Sequence, residues 1–104
     1  MRVISRKPFA DAMAKYPNDA IAVNKAYKTL KSSRFNTLQD MQAAFPSLDN
    51  FKYVDKWWVI DIGGNSLRLI AFIDFENQRL FAKHLATHAE YDKLCNKYAQ
   101  EKRQ

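Results

Sequence analysis

The chain has 104 residues, of which 47% are hydrophobic and 13% aromatic, enough apolar surface to order one compact domain and too little length for a second core. Its net charge of +6 and pI near 9.6 favour polyanions where the cations share a face. One cysteine, Cys95, excludes an internal disulfide, and with two histidines in the whole chain a structural zinc site lacks ligands.

No apolar run nears the ~20 residues of a membrane span, and residues 1–5 lack the plan of a signal peptide. A cytoplasmic protein with no cofactor, no metal and no membrane contact is therefore expected. The charge is uneven: residues 1–36 hold eight Lys or Arg against two Asp, whereas residues 37–104 hold nine of each sign. The whole excess is N-terminal.

Residues 1–4 read as a short strand, after which Ser5 caps a helix whose stripe is Phe9, Ala12, Met13 and Tyr16 and which Pro17 stops. Asn18 caps the next helix. Its buried stripe is Val23, Ala26, Tyr27 and Leu30, and Lys25, Lys28 and Lys31 follow a second stripe turned away from it as a basic ridge. Thr37 with Asp40 resembles a capping box for a short helix through Leu38, Met41 and Phe45, closed by Pro46.

The period then changes. Residues 51–54, 57–62, 67–74 and 79–85, rich in aromatic and β-branched side chains, predict four antiparallel strands, and Gly63-Gly64-Asn65-Ser66 is a hairpin turn rather than a phosphate cradle. Thr87 and Glu90 form a capping box for a final helix through Tyr91, Leu94 and Tyr98, with a polar end expected to fray. The order predicts an α+β fold: N-terminal strand and helices, an antiparallel β-meander, then a C-terminal helix. The helices cover one sheet face and leave the other for a ligand.

No Ser/His/Asp signature or paired carboxylates occur. The candidates for chemistry are cationic and aromatic: Arg68 in one strand, Lys83 and His84 in the next, and His88 and Tyr91 opening the last helix. A hairpin turning between Glu76 and Asn77 sets Arg68 opposite Leu85 and on one face with Lys83, and a one-residue slip substitutes His84. The regular set Leu80, Ala82 and His84 favours Lys83.

Such a group suits cleavage of RNA by its own 2′-hydroxyl, which needs a base, cations at the phosphate and an acid for the leaving oxygen, but no metal. Imidazole titrates near neutrality, so His88 suits either proton-transfer role. Arg68 offers a bidentate fork to the phosphate, with Lys83 as second cation, and Tyr91 can stack or donate. Trp57 and Trp58 point to opposite faces, one to the core and one toward a nucleotide. The bland alternatives are an Arg paired with a surface carboxylate, a solvated His88 and a buried Tyr91.

Residues 44–53 (AFPSLDNFKY), 62–71 (IGGNSLRLIA) and 87–92 (THAEYD) resemble HigB toxins of the RelE superfamily, and the likeness runs in order from Met1 to about Tyr98. The resemblance implies a RelE-like microbial RNase fold and an endoribonuclease (mRNA interferase) that cuts translated mRNA in the ribosomal 30S A site. It also implies a HigA-type helix-turn-helix antitoxin, through which alone operator DNA is bound. On the family pattern Arg68, Lys83, His88 and Tyr91 match catalytic positions, and Lys52 and Lys56 resemble the substrate-binding lysines of RelE relatives; Asn65 and Trp57 are expected to bind RNA beside them. Lys25, Lys28 and Lys31 would then face ribosomal RNA. Two alternatives stay open: a ParE-like toxin that binds DNA gyrase without catalysis, and a non-toxic basic RNA-binding module.

Overall fold

The computed structural model describes residues 1–103. Its elements follow as β1 (Arg2–Val3), α1 (Lys7–Lys15), α2 (Ala20–Ser32), α3 (Leu38–Ala44), β2 (Asp49–Asn50), β3 (Trp57–Ile62), β4 (Leu67–Asp74), β5 (Arg79–Ala86) and α4 (His88–Arg103), an α+β arrangement consistent with a RelE-like fold. One five-stranded sheet runs β1-β5-β4-β3-β2. β2 to β5 are antiparallel neighbours, but β1 joins β5 in parallel, pairing Arg2 with Arg79 and Val3 with Leu80. The sheet is therefore mixed.

Local signals set most boundaries. Arg6 and not Ser5 is the N-cap of α1, with no side-chain cap bond, although the Ser5 hydroxyl accepts from the Lys7 N–H at 3.3 Å, and Pro8 occupies the first turn, where its missing N–H costs nothing. Asn18 does not cap α2, because Pro17–Asp19 forms a 3-10 turn that leads straight into it. Thr37 caps α3, its hydroxyl accepting from the Asp40 N–H at 3.1 Å. The final helix does not end near Tyr98 but continues to Arg103.

Three further expectations are corrected. The strand expected at 51–54 lies instead at Asp49–Asn50. Beyond it the chain turns on bonds from the Val54 N–H to the Phe51 carbonyl and from the Trp57 N–H to the Val54 carbonyl, both 3.3 Å, and Lys56 takes a positive φ of 63°. Burial of the Phe51 ring explains the apolar run that read as a strand.

The second correction concerns register. Arg68 pairs with Ala86, not Leu85, and the β4–β5 ladder slips between Ile70 and Ala71, whose partners are His84 and Ala82. Lys83 is the extra residue of a β-bulge. Leu80, Ala82 and Leu85 consequently all pack against one core, which a regular alternation could not achieve with His84 placed between them.

The third concerns the open face. α1, α2 and α3 supply Phe9, Val23, Leu30 and Met41 to a core with Leu69, Ala71 and Leu80, while Phe51, Val59 and Ile70 form a second cluster against Tyr91, Leu94 and Tyr98 of α4. Helices thus cover both faces, and α4 lies across much of the one expected to be free.

Candidate functional site

The β3–β4 hairpin places Asp61 opposite Arg68. The Arg68 Nε lies 3.2 Å from the Asp61 carboxylate, with its side chain 27% exposed, and has no hydrogen bond among the described residues. The guanidinium carbon sits 4.5 Å from the centre of the Tyr91 ring. A planar cation stacked on an aromatic and held loosely by one carboxylate has few rotamers left but keeps its remaining N–H groups for a ligand.

Burial, with a hydrogen bond to Cys95, pushes the Tyr91 hydroxyl up to about 12, against the opposing charge of Arg68. It is therefore a proton donor at neutral pH and not a base. His88 opens α4 and is exposed. Three residues from Tyr91, it is that residue's neighbour on the helix surface. Asn65 is exposed in the turn that leads to β4, at this same end of the sheet.

Lys83 belongs to a different group. Its ammonium lies 5.7 Å from the Trp57 ring centre and 5.8 Å from that of Phe81, and three residues along β5 from the partner of Arg68 it is offset by about 10 Å. His84 is beside it, its Nε2 sharing a 2.7 Å hydrogen bond with the Tyr98 hydroxyl. Burial, then the charges of Lys97 and Lys83, lower the His84 pKa from 6.5, so its imidazole is neutral at pH 7. The bulge therefore brings both rival candidates, Lys83 and His84, to the Trp57 side.

Trp58 packs with Phe75 against the main core, while Trp57 stands half-buried among Phe51, Tyr98 and Lys83, the division expected of adjacent strand residues. Lys56 is exposed beside Trp57, and Lys52 is exposed with its ammonium 5.3 Å from the Tyr53 ring centre. The ridge of Lys25, Lys28 and Lys31 is exposed but turns as it rises. Lys25 lines a hollow with Ala44 and Gly63, and Lys31 a different one with Arg2 and Arg34.

Sequence reasoning missed the His84–Tyr98 pair and the Asp61 partner of Arg68. The second was readable: a four-residue turn at 63–66 sets Ile62 opposite Leu67 and hence Asp61 opposite Arg68. The first depended on where α4 docks, which no local pattern states.

A family model described as HigB_toxin, RelE-like toxic component of a toxin-antitoxin system, matches residues 19–94. The chain is 52% identical over 102 residues, 98% of its length and 99% of the relative's, to the mRNA interferase HigB of Escherichia coli O6:H1 strain CFT073. It is 40% identical over 92 residues, 88% of each, to the mRNA interferase toxin HigB of Escherichia coli strain K12.

Proposed function

We propose, because the chain belongs to the HigB family of RelE-like toxic components of toxin-antitoxin systems, that it is a metal-independent endoribonuclease cleaving mRNA on the translating ribosome. The observation that carries this reading is the Arg68 guanidinium, stacked on Tyr91 at 4.5 Å with donors to spare for a phosphate. The ligand set is in keeping with metal-free chemistry: among the described residues no three His, Cys, Asp or Glu side chains gather where they could hold a metal ion.

The scissile phosphate docks on Arg68. The 2′-hydroxyl oxygen attacks phosphorus and its proton passes to a base, His88 in this reading. The bond to the 5′-oxygen breaks, and that oxygen takes a proton as it leaves, giving a 2′,3′-cyclic phosphate and a 5′-hydroxyl. Tyr91, protonated and beside Arg68, donates a hydrogen bond to the charge that builds on the phosphate. Lys83, offset along β5, meets a neighbouring phosphate, with Trp57 beneath a base and Lys52, Lys56 and Asn65 along the strand.

A HigA-type antitoxin is the partner that silences the toxin and carries it to operator DNA. Lys25, Lys28 and Lys31 face ribosomal RNA of the 30S A site in the cytoplasm. Among the described residues no helix is long and apolar enough to cross a membrane.

The test is to map mRNA 5′ ends after induction of wild type, Arg68→Ala and Tyr91→Phe. Loss of one donor aimed at developing charge costs about 10²–10³ in rate, so Arg68→Ala should abolish growth arrest and new 5′ ends while still binding antitoxin. Tyr91→Phe should weaken cleavage and keep the ring beneath Arg68. Undiminished cleavage by Arg68→Ala would remove Arg68 from the mechanism. Growth arrest with inhibited gyrase and intact mRNA would favour the ParE-like alternative.

A further inference from the structure

The N-terminal charge excess has a structural address. Ion pairs among the described residues join Lys7 to Asp11, Lys15 to Glu90, Arg68 to Asp61 and Arg79 to Asp74. Arg2, Lys31 and Arg34 take no part in them, and all three line one groove of about 620 Å³ with Tyr27, Asn77 and Gln78. Among the described residues that line it there is no Asp or Glu.

The groove is built, not incidental. The Gln78 backbone takes a φ of +54°, and its side chain clamps the loop after α2 to the β4–β5 turn. Its oxygen accepts from the Phe35 N–H at 3.1 Å, and its amide donates to the Phe35 carbonyl at 2.5 Å and the Phe75 carbonyl at 2.8 Å. The Arg2 N–H donates to the Gln78 carbonyl at 2.7 Å. β1, the loop after α2 and the β4–β5 turn are thereby joined into one wall.

We propose that this groove is a second RNA site, one that grips the phosphodiester backbone of folded RNA and not the strand being cut. Two arginines and a lysine with no carboxylate to neutralise them match a run of phosphates. The Tyr27 ring is already engaged, with Phe9 at 5.2 Å, Arg6 at 5.6 Å and Lys31 at 5.9 Å, so it offers no free face on which a base could stack. Binding there is insensitive to sequence. Arg68 stands six residues up β4 from the turn, about 20 Å away, too far for one nucleotide to span. This inference rests on the reading of the chain as an RNA-acting toxin, and it deepens that reading by giving the enzyme a hold on RNA remote from the reacting phosphate.

The experiment measures binding of the full chain to a duplex RNA hairpin across a salt series. It compares wild type, the triple variant Arg2→Gln/Lys31→Gln/Arg34→Gln, the single variant Lys31→Glu, and Arg68→Ala, with a polyglutamate peptide as competitor. Three lost phosphate contacts should weaken binding on the order of 100-fold near 0.1 M salt and make the logarithmic salt slope shallower by about 2 to 3. Arg68→Ala, which removes one phosphate contact at the cleavage site and none in the groove, should lower affinity far less than the triple variant and change the slope by at most about 1. Lys31→Glu, exposed on a helix and tolerant of the change, should weaken binding in the same direction even if the triple variant fails to fold.

Equal binding and equal slope for wild type and both groove variants would overturn the proposal, and so would polyglutamate binding tighter than RNA, which would assign the groove to an acidic protein partner. Cleavage by Arg68→Ala is scored separately, so a failed catalytic reading is not mistaken for a failed groove.

Discussion

The Glu90 carboxylate joins the end of α1 to the start of α4. It accepts hydrogen bonds from the Tyr16 hydroxyl at 2.7 Å, the Thr87 N–H at 3.2 Å and the Thr87 hydroxyl at 3.1 Å, and Lys15 lies 3.7 Å from its other oxygen. Bonding to Tyr16, then to Thr87, holds its pKa down to about 2 from 4.5. Because the folded value lies below the unfolded one, this stabilisation is complete above pH 4.5 and fades as pH falls toward 2. Glu90→Ala should cost about 1 kcal/mol, the usual worth of a helix cap, at neutral pH. In urea melts the gap from wild type should close between pH 4.5 and 2; a gap independent of pH would place the effect elsewhere. Thr87 and Glu90 were legible as a cap because the pattern is local. Tyr16, 74 residues away, was not.

At the scale of elements, the β3–β4 turn shows how a hairpin signal acquires a tertiary role. Gly63 and Gly64 have φ of +64° and +69°, and a Cβ on Gly63 would meet the Asp19 carboxylate oxygen at 2.8 Å, whereas one on Gly64 meets open space. Gly64→Ala should cost about 1–2 kcal/mol from the left-handed backbone alone. Gly63→Ala should cost more, and thermal melts should show the excess vanish in an Asp19→Ala background. The turn, all four helices and four of the strands could be read from period and punctuation. The 51–54 segment could not, since a buried aromatic turn and a short strand share composition. The β5 register failed because a bulge leaves no mark in residue types, only in which alternation the core accepts.

The whole molecule is a sheet with an apolar cluster on each side. The N-terminal helices make one, and α4 closes the other over Phe51, whose ring packs on Tyr53, Trp57, Tyr91 and Tyr98. Phe51→Ala should cost ~3–5 kcal/mol, and hydrogen exchange should quicken in α4 before the strands. Uniform loss of protection would mean that the two sides open as one. α4 also explains why the site was only half legible: the residue types were visible, but the helix divides them, leaving Arg68 with Tyr91 at one end and Lys83 with Trp57 at the other. A last consequence lies in β5. With Lys83 struck out, the order 82, 84, 85, 86 inward and outward becomes a regular pleat, so the lysine reads as an insertion into a strand already complete. A chain shortened by that one residue should melt within a few degrees of the parent while its RNA cleavage falls. Collapse of the fold instead would mean that the irregularity is part of how the sheet closes, and that cation and scaffold cannot be parted.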